Sequence, residues 1–198
     1  DKDLFLQFQP VYDVKTDKIS GFEALARIRS EKLGMIPPHD FIPIAEKTKL
    51  IIPLGRKIII KAFKFINKLN ASVPEDISVS INISAIQLLS PGFVDFFLSD
   101  MKDMGIGAEK VGIEITESVF SDDFDEINRI IAKLKDLGVS IAIDDFGTGY
   151  SSLARERELN INCLKIDKFF IDKLQVIEPS MTITSDIISI AHKLGHYT

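Results

Sequence analysis

The 198-residue chain has no tryptophan, one cysteine and three histidines. Cys163 alone leaves no internal disulfide framework and fits a reducing compartment. One thiol and three scattered imidazoles (His39, His192 and His196) are too few for a structural zinc site, and no catalytic role falls to these histidines. No signal peptide opens the chain, and its first residues, DKDLFLQF, lack an initiator Met and read as excised from a longer protein. No apolar run reaches the roughly 18 residues of a membrane span. The nearest candidate, LIIPLGRKIIIKAFKFI at 50–66, is broken by Pro53, Arg56, Lys57, Lys61 and Lys64 and reads as an amphipathic helix; a membrane-surface helix is the second reading of that segment. No membrane contact is expected, and the location expected is the cytoplasm, or the cytoplasmic part of a larger membrane protein. The basic stripe of a nucleic-acid surface is missing too, since the net charge is −5. A small anionic substrate stays open, because a bound metal reverses the local sign.

What is present is ordinary for a globular domain: 45% hydrophobic and 27% charged residues. The length suits one large domain or two small ones. Strand patterns occupy 4–13 and 19–28, with the turn VKTDK pairing them, and recur at 77–84, 110–116, 139–145 and 162–167. Helical spacing covers HDFIPIAEKTK, then 50–69, 93–104, 123–138 and 184–195, and Gly138 is a C-terminal stop. Such alternation predicts a parallel sheet covered by helices, either doubly wound or a (β/α)₈ barrel. Six strands are counted, whereas a full barrel has eight and about 250 residues.

Polar residues recur near the C-terminal ends of these strands: Glu23 after ISGF, Asn82 in VSINIS, Glu114 in VGIEIT, Asp144 and Asp145 at the end of SIAIDD, and Lys165 in CLKID. In a parallel α/β fold those ends open on one face, where active sites are built. Four carboxylates and an amide oxygen suit Mg²⁺, Mn²⁺ or Ca²⁺. They suffice for two cations, the usual device for in-line attack on a phosphodiester. Lys165 could orient the attacking water or neutralise charge on phosphate. Each residue also has a plainer reading: an N-cap, a rim ion pair, a turn residue, or a Lys165 that pairs with Asp144 or Asp167. Five successive strands with a polar residue at equivalent depth are harder to explain that way. GTG at 147–149 is no Walker A loop and reads as a flexible loop beside the aspartates.

These blocks resemble the EAL domain family of cyclic-di-GMP phosphodiesterases. The name motif is Glu23-Ala24-Leu25 within FEALAR. FQPVYD at 8–13, IPPHDFIPIAEKTKLI at 36–51, INIS at 81–84, GIEITES at 112–118, DDFGTGYSSL at 144–153 and LKID at 164–167 follow in order. The resemblance covers essentially all of residues 1–198, read as one EAL domain. It implies a TIM-like (β/α)₈ barrel with an antiparallel first strand. It implies hydrolysis of cyclic di-GMP to linear pGpG with Mg²⁺ or Mn²⁺, Ca²⁺ being inhibitory. By the same resemblance Glu23, Asn82, Glu114 and Asp144 are metal ligands, Asp145 serves the second metal, and Lys165 holds the nucleophilic water. Glu117 anchors the DDFGTGYSSL loop, though a first-turn helix acid is its plainer reading. Gln9, Leu25 and Arg27 meet the dinucleotide, Arg27 through its forked donors. A possible homodimer and fusion to an upstream sensor or GGDEF domain are implied as well.

The departures carry expectations of their own. The family's Trp after the motif arginine is Ile28 here, which loosens a packing contact. ARERELNIN at 154–162 replaces a stretch in which the family has an aromatic or apolar residue and a Pro, near its loop and dimer surface. The family continues past LGHYT into a strand with AEGVE, whose first Glu belongs to the metal and base machinery, and later into QGY. The barrel is therefore expected to be truncated after its sixth strand and helix, with an open edge at 162–167. The natural protein is expected to continue past Thr198, and a chain ending there to be inactive. The competing reading is a degenerate or truncated EAL domain that binds cyclic di-GMP without hydrolysis. Against it, the motif Glu, the paired aspartates and the Lys are all present. An unrelated barrel with a structural rim network is the third reading.

Overall fold

The computed structural model of the chain describes residues 3–73, 76–117, 123–147, 158–173 and 183–198. They form two compact units, Asp1–Ile113 and Glu114–Thr198, and the division falls inside a strand.

The first unit opens with β1 (Leu4–Asp13) and β2 (Lys18–Ser30), an antiparallel hairpin. Its turn is built by Asp13, whose carboxylate accepts the Lys15 and Thr16 N–H groups at 2.7 and 3.1 Å. Asp17 then takes a left-handed φ of 61°, which aspartate tolerates better than most residues. β3 (Gly34–Ile36) folds back on the end of β2. Helices α1 (Pro38–Lys47) and α2 (Ile51–Asn70) follow, and β4 (Ser78–Asn82) returns parallel to β2. Short α3 (Ala85–Leu88), α4 (Phe93–Asp103) and a 3₁₀ turn lead into β5 (Val111–Thr116). The strand order in this unit is β1-β2-β4-β5.

Helix α2 buries Ile51, Ile58, Ile59, Ala62, Phe63 and Ile66, a stripe at helical spacing, and leaves its lysines outward. Gly55 belongs to that stripe because the Gln87 amide lies against its Cα, where a Cβ would collide. Gln87 is 4% exposed, and its side-chain oxygen accepts the Ser84 N–H at 3.2 Å, so the amide has no open direction in which to swing. That contact fixes the chain just past the end of β4, which carries Asn82. Phe65 on α2 takes Phe8 stacked on one side and Phe22 edge-on. The even residues of β1 and β2 therefore face the helix, and Glu23, Leu25 and Arg27 lie on the opposite face by the period of two.

The second unit holds the rest of β5, then α5 (Phe124–Asp136), β6 (Ser140–Phe146), β7 (Cys163–Ile166), α6 (Lys168–Lys173) and α7 (Ile183–Lys193). Its strand order is β5-β6-β7, with β6 and β7 parallel. Amphipathic α5 buries Ile127, Ile131 and Leu134. The return into β7 is pinned by Asn162. Its N–H donates to the Ile141 carbonyl at 2.8 Å, while its side-chain oxygen accepts the Ile141 N–H at 2.9 Å.

The strand–helix alternation, the six long strands and the antiparallel first strand all match expectation. Three short elements carried no readable period: β3, α3 and α6. The edge expected to be open at 162–167 is partly covered: Tyr197 bridges to Cys163 in parallel, and the Leu164 N–H donates to the Tyr197 carbonyl at 2.9 Å. Among the described residues no helix is long and apolar enough to cross a membrane. Residues 148–157, with most of GTGYSSL and the start of ARERELNIN, lie outside the described residues, as does Ser118.

Gly55→Leu is expected to lower stability by about 1–3 kcal/mol, because overpacking displaces a buried amide from its backbone partner. Urea unfolding followed by circular dichroism measures it.

Candidate functional site

In the first unit one face of the β1–β2 hairpin carries the expected residues. Gln9 lies directly opposite Glu23, Gln7 opposite Leu25, and Phe5 opposite Arg27. Asn82, at the end of β4, donates from Nδ2 to Glu23 Oε1 at 2.8 Å. With its nitrogen used in this way, Asn82 keeps its amide oxygen as an acceptor, the atom a hard cation takes. Arg27 donates from Nε to Gln7 Oε1 at 2.7 Å and from Nη1 to the Ala26 carbonyl at 2.9 Å. Ile28, on the other face, lines an open apolar groove with Phe41, Ile44, Leu50, Pro53 and Leu54.

In the second unit the paired aspartates sit on a bulge. Ile143 pairs with Leu164 and Phe146 with Ile166, so Asp144 and Asp145 together oppose the single residue Lys165. Asp145 absorbs the extra residue with φ at 55°. In an unbroken strand Ile143 and Phe146 would point to opposite faces; with the bulge both are buried. Two adjacent carboxylates thus leave the core without dragging an apolar residue out.

Lys165 Nζ lies 2.5 Å from Glu114 Oε2 and 3.1 Å from Asp144 Oδ1. Glu114 sits on β5, five of whose six residues are buried, and its side chain is 6% exposed. An ionised carboxylate there needs a cation, and Lys165 supplies one. The plainer reading of Lys165, a pair with Asp144, is thus part of the observed geometry, with Glu114 added. Partial burial pushes the Asp145 carboxyl above its usual range; the Asp144 and Asp167 charges and a hydrogen bond to Asp167 add to this, and Lys165 opposes it. Burial likewise pushes the Cys163 thiol up to about 11, with Glu114 adding to it, so this cysteine stays protonated and inert at neutral pH. Glu117, 9% exposed, accepts the Gly147 N–H at 3.1 Å and so ties the end of β5 to the start of the glycine loop. Gly147 has φ of 95°, and the Phe170 ring closes the space where a Cβ would stand.

The site set therefore comprises Gln9, Glu23, Leu25, Arg27 and Asn82 in the first unit, and Glu114, Glu117, Asp144, Asp145 and Lys165 in the second. Two residues of structural consequence lie outside it. Gln7 holds Arg27, and its signal was available: it is two residues before Gln9, on the same face of a strand. Asn162 clamps the register of β7, and nothing local in the sequence marks that role.

In each unit these side chains offer carboxylate or amide oxygens and no thiol or imidazole, the donor chemistry that suits a hard cation. The sequence profile of the EAL domain matches residues 1–198. The chain is 38% identical over 190 residues to the signalling protein YkoW of Bacillus subtilis, covering 96% of this chain and 24% of that protein. It is 33% identical over 192 residues to the cyclic di-GMP phosphodiesterase PA2567 of Pseudomonas aeruginosa, covering 96% of this chain and 32% of that protein. Among solved structures, the PaMucR phosphodiesterase in complex with c-di-GMP matches with a TM-score of 0.89 at 33% identity, over 98% of this chain and 79% of that one. The chain belongs to the EAL domain family.

A raised folded-state pKa means that Asp145 favours the native state when protonated. Its contribution is full below the unfolded value of about 3.9 and is lost as pH rises through the higher folded value. Asp145→Asn is therefore expected to raise the thermal midpoint of the cation-free protein at pH 7 by up to about 3 °C, solvent screening keeping the gain small. The gain should shrink as pH falls, because the wild-type carboxyl itself takes up a proton. Differential scanning fluorimetry across that range measures it; a gain independent of pH would assign the effect to backbone strain alone.

Proposed function

We propose that the protein hydrolyses cyclic di-GMP to linear pGpG with Mg²⁺ or Mn²⁺, residues 1–198 acting as one EAL domain in the cytoplasm. The observation that carries this reading is the β6 bulge, which sets two carboxylates against a lysine already shared with Glu114. Glu23, Asn82, Glu114 and Asp144 would hold the cations, and Asp145 would serve the second. The bound cations would activate a water and draw charge from the phosphodiester. Lys165, paired with Glu114 and Asp144, would orient that water. Asn82, whose Nδ2 donates to Glu23, would offer its amide oxygen. Gln9, Leu25 and Arg27 would seat the dinucleotide, the guanidinium facing a phosphate. Glu117 would hold the loop that begins at Gly147. Ca²⁺ would bind the same oxygens and inhibit. Because the chain spans about a quarter to a third of the curated relatives described above, a homodimer and a fused sensor or GGDEF domain belong to this proposal as well.

The test is cyclic di-GMP turnover by the complete protein that carries these residues, with pGpG resolved by chromatography. Release of pGpG should require Mg²⁺ or Mn²⁺ and stop with Ca²⁺ or a chelator. Glu23→Ala and Asp144→Asn should each lower it by at least about tenfold while sparing the fold. Binding of the dinucleotide without turnover would favour the non-catalytic receptor. No binding of cation or dinucleotide would leave only a structural rim network.

A further inference from the structure

We propose that Gln7 is a positioning residue for Arg27, holding its guanidinium in one orientation and so setting the affinity for the phosphodiester. This rests on the reading of Arg27 as a ligand contact. The two side chains share one face of the hairpin: Gln7 is opposite Leu25, Arg27 is opposite Phe5, and the two are diagonal neighbours within reach of long side chains. Gln7 Oε1 accepts from Arg27 Nε at 2.7 Å, and the Ala26 carbonyl accepts from Nη1 at 2.9 Å. Two anchors on a planar group fix both its position and its plane. Three of its five N–H donors remain, all on the Nη side, where a forked pair can meet an oxyanion.

The chemistry of the anchor matters as much as its geometry. Gln7 is neutral. A carboxylate at position 7 would hold the guanidinium equally well but would cancel its charge before the ligand arrived. Among the described residues no carboxylate forms an ion pair with Arg27. The neighbouring cation on the same strand, Arg29, lies over the Phe5 ring at 5.7 Å and does not compete for the Gln7 oxygen. Glu23 stands on the same face two pairs along, opposite Gln9. The face thus runs from a carboxylate and amide to a pre-set, uncancelled guanidinium.

The experiment compares Gln7→Met, Gln7→Glu, Arg27→Ala and the double variant Gln7→Met/Arg27→Ala in the complete protein. The dissociation constant for cyclic di-GMP is read by titration calorimetry, and KM and kcat by turnover. Gln7→Met keeps the length of the side chain and removes the acceptor. It should weaken binding and raise KM by about three- to tenfold, the worth of one hydrogen bond, with kcat little changed. Gln7→Glu should weaken binding as well, by cancelling charge. Neither change at position 7 should matter once Arg27 is alanine. A Gln7→Met protein that binds as wild type while Arg27→Ala binds poorly would overturn the positioning role and leave the Arg27 reading intact. If Arg27→Ala binds as wild type, the reading of Arg27 fails and the role of Gln7 falls with it. Additive losses in the double variant would also overturn the proposal, since they would show Gln7 acting independently of Arg27. Unchanged thermal midpoints in the single variants would show that the fold is intact.

Discussion

Glu114 lies on a strand that is buried along nearly its whole length, and a carboxylate there has either to bind a proton or to meet a cation. Lys165 meets it, and the same ammonium reaches Asp144. Charge compensation of this kind is demanding in a low-dielectric setting, where an unpaired ion costs several kcal/mol. Much in the second unit serves it. The side chain and N–H of Asn162 grip both polar groups of Ile141, fixing the register three residues before Lys165 and three before Asp144. A slip of one residue would turn Lys165 to the other face of the sheet. Four carboxylates, Glu114, Glu117, Asp144 and Asp145, outnumber the single ammonium of Lys165 in this set, which suits the oxygen chemistry of a hard divalent ion.

Each unit delivers polar groups beyond the core in a different way. In the first, simple alternation suffices: Phe22 and Ala24 face inward, while Glu23, Leu25 and Arg27 face away. In the second, alternation alone could not present two consecutive aspartates while burying the residues on either side of them. The bulge resolves this with a left-handed Asp145, a conformation that aspartate tolerates better than most residues. The left-handed residue and the concentrated negative charge both fall on residues proposed to hold cations.

Much of this was legible from the residues in order. Long strands and helices announced themselves through period, and Asn82, Glu114, Asp144 and Lys165 through their recurrence toward strand ends; Glu23, read at a strand end, stands in the middle of the longer β2 and was marked by the FEALAR motif. The short elements β3, α3 and α6 did not, because three to six residues carry no usable period. Gln7 was visible only as a neighbour of Gln9, since its partner lies twenty residues away on the paired strand. Asn162 opens the strand read over 162–167, and its function as a register clamp depends on Ile141 across the sheet.

The sequence by itself determined the strand–helix alternation, the supply of carboxylate and amide oxygens rather than thiol or imidazole on these strands, and membership of the EAL family, because these follow from local pattern and side-chain chemistry. The tertiary structure decided which groups share a proton donor or a charge: Lys165 with Glu114 and Asp144, Asn82 with Glu23, Arg27 with Gln7, Glu117 with the Gly147 N–H. Those choices depend on strand register and on a bulge. Register is set by hydrogen bonds between residues far apart in the chain, where no local pattern records them.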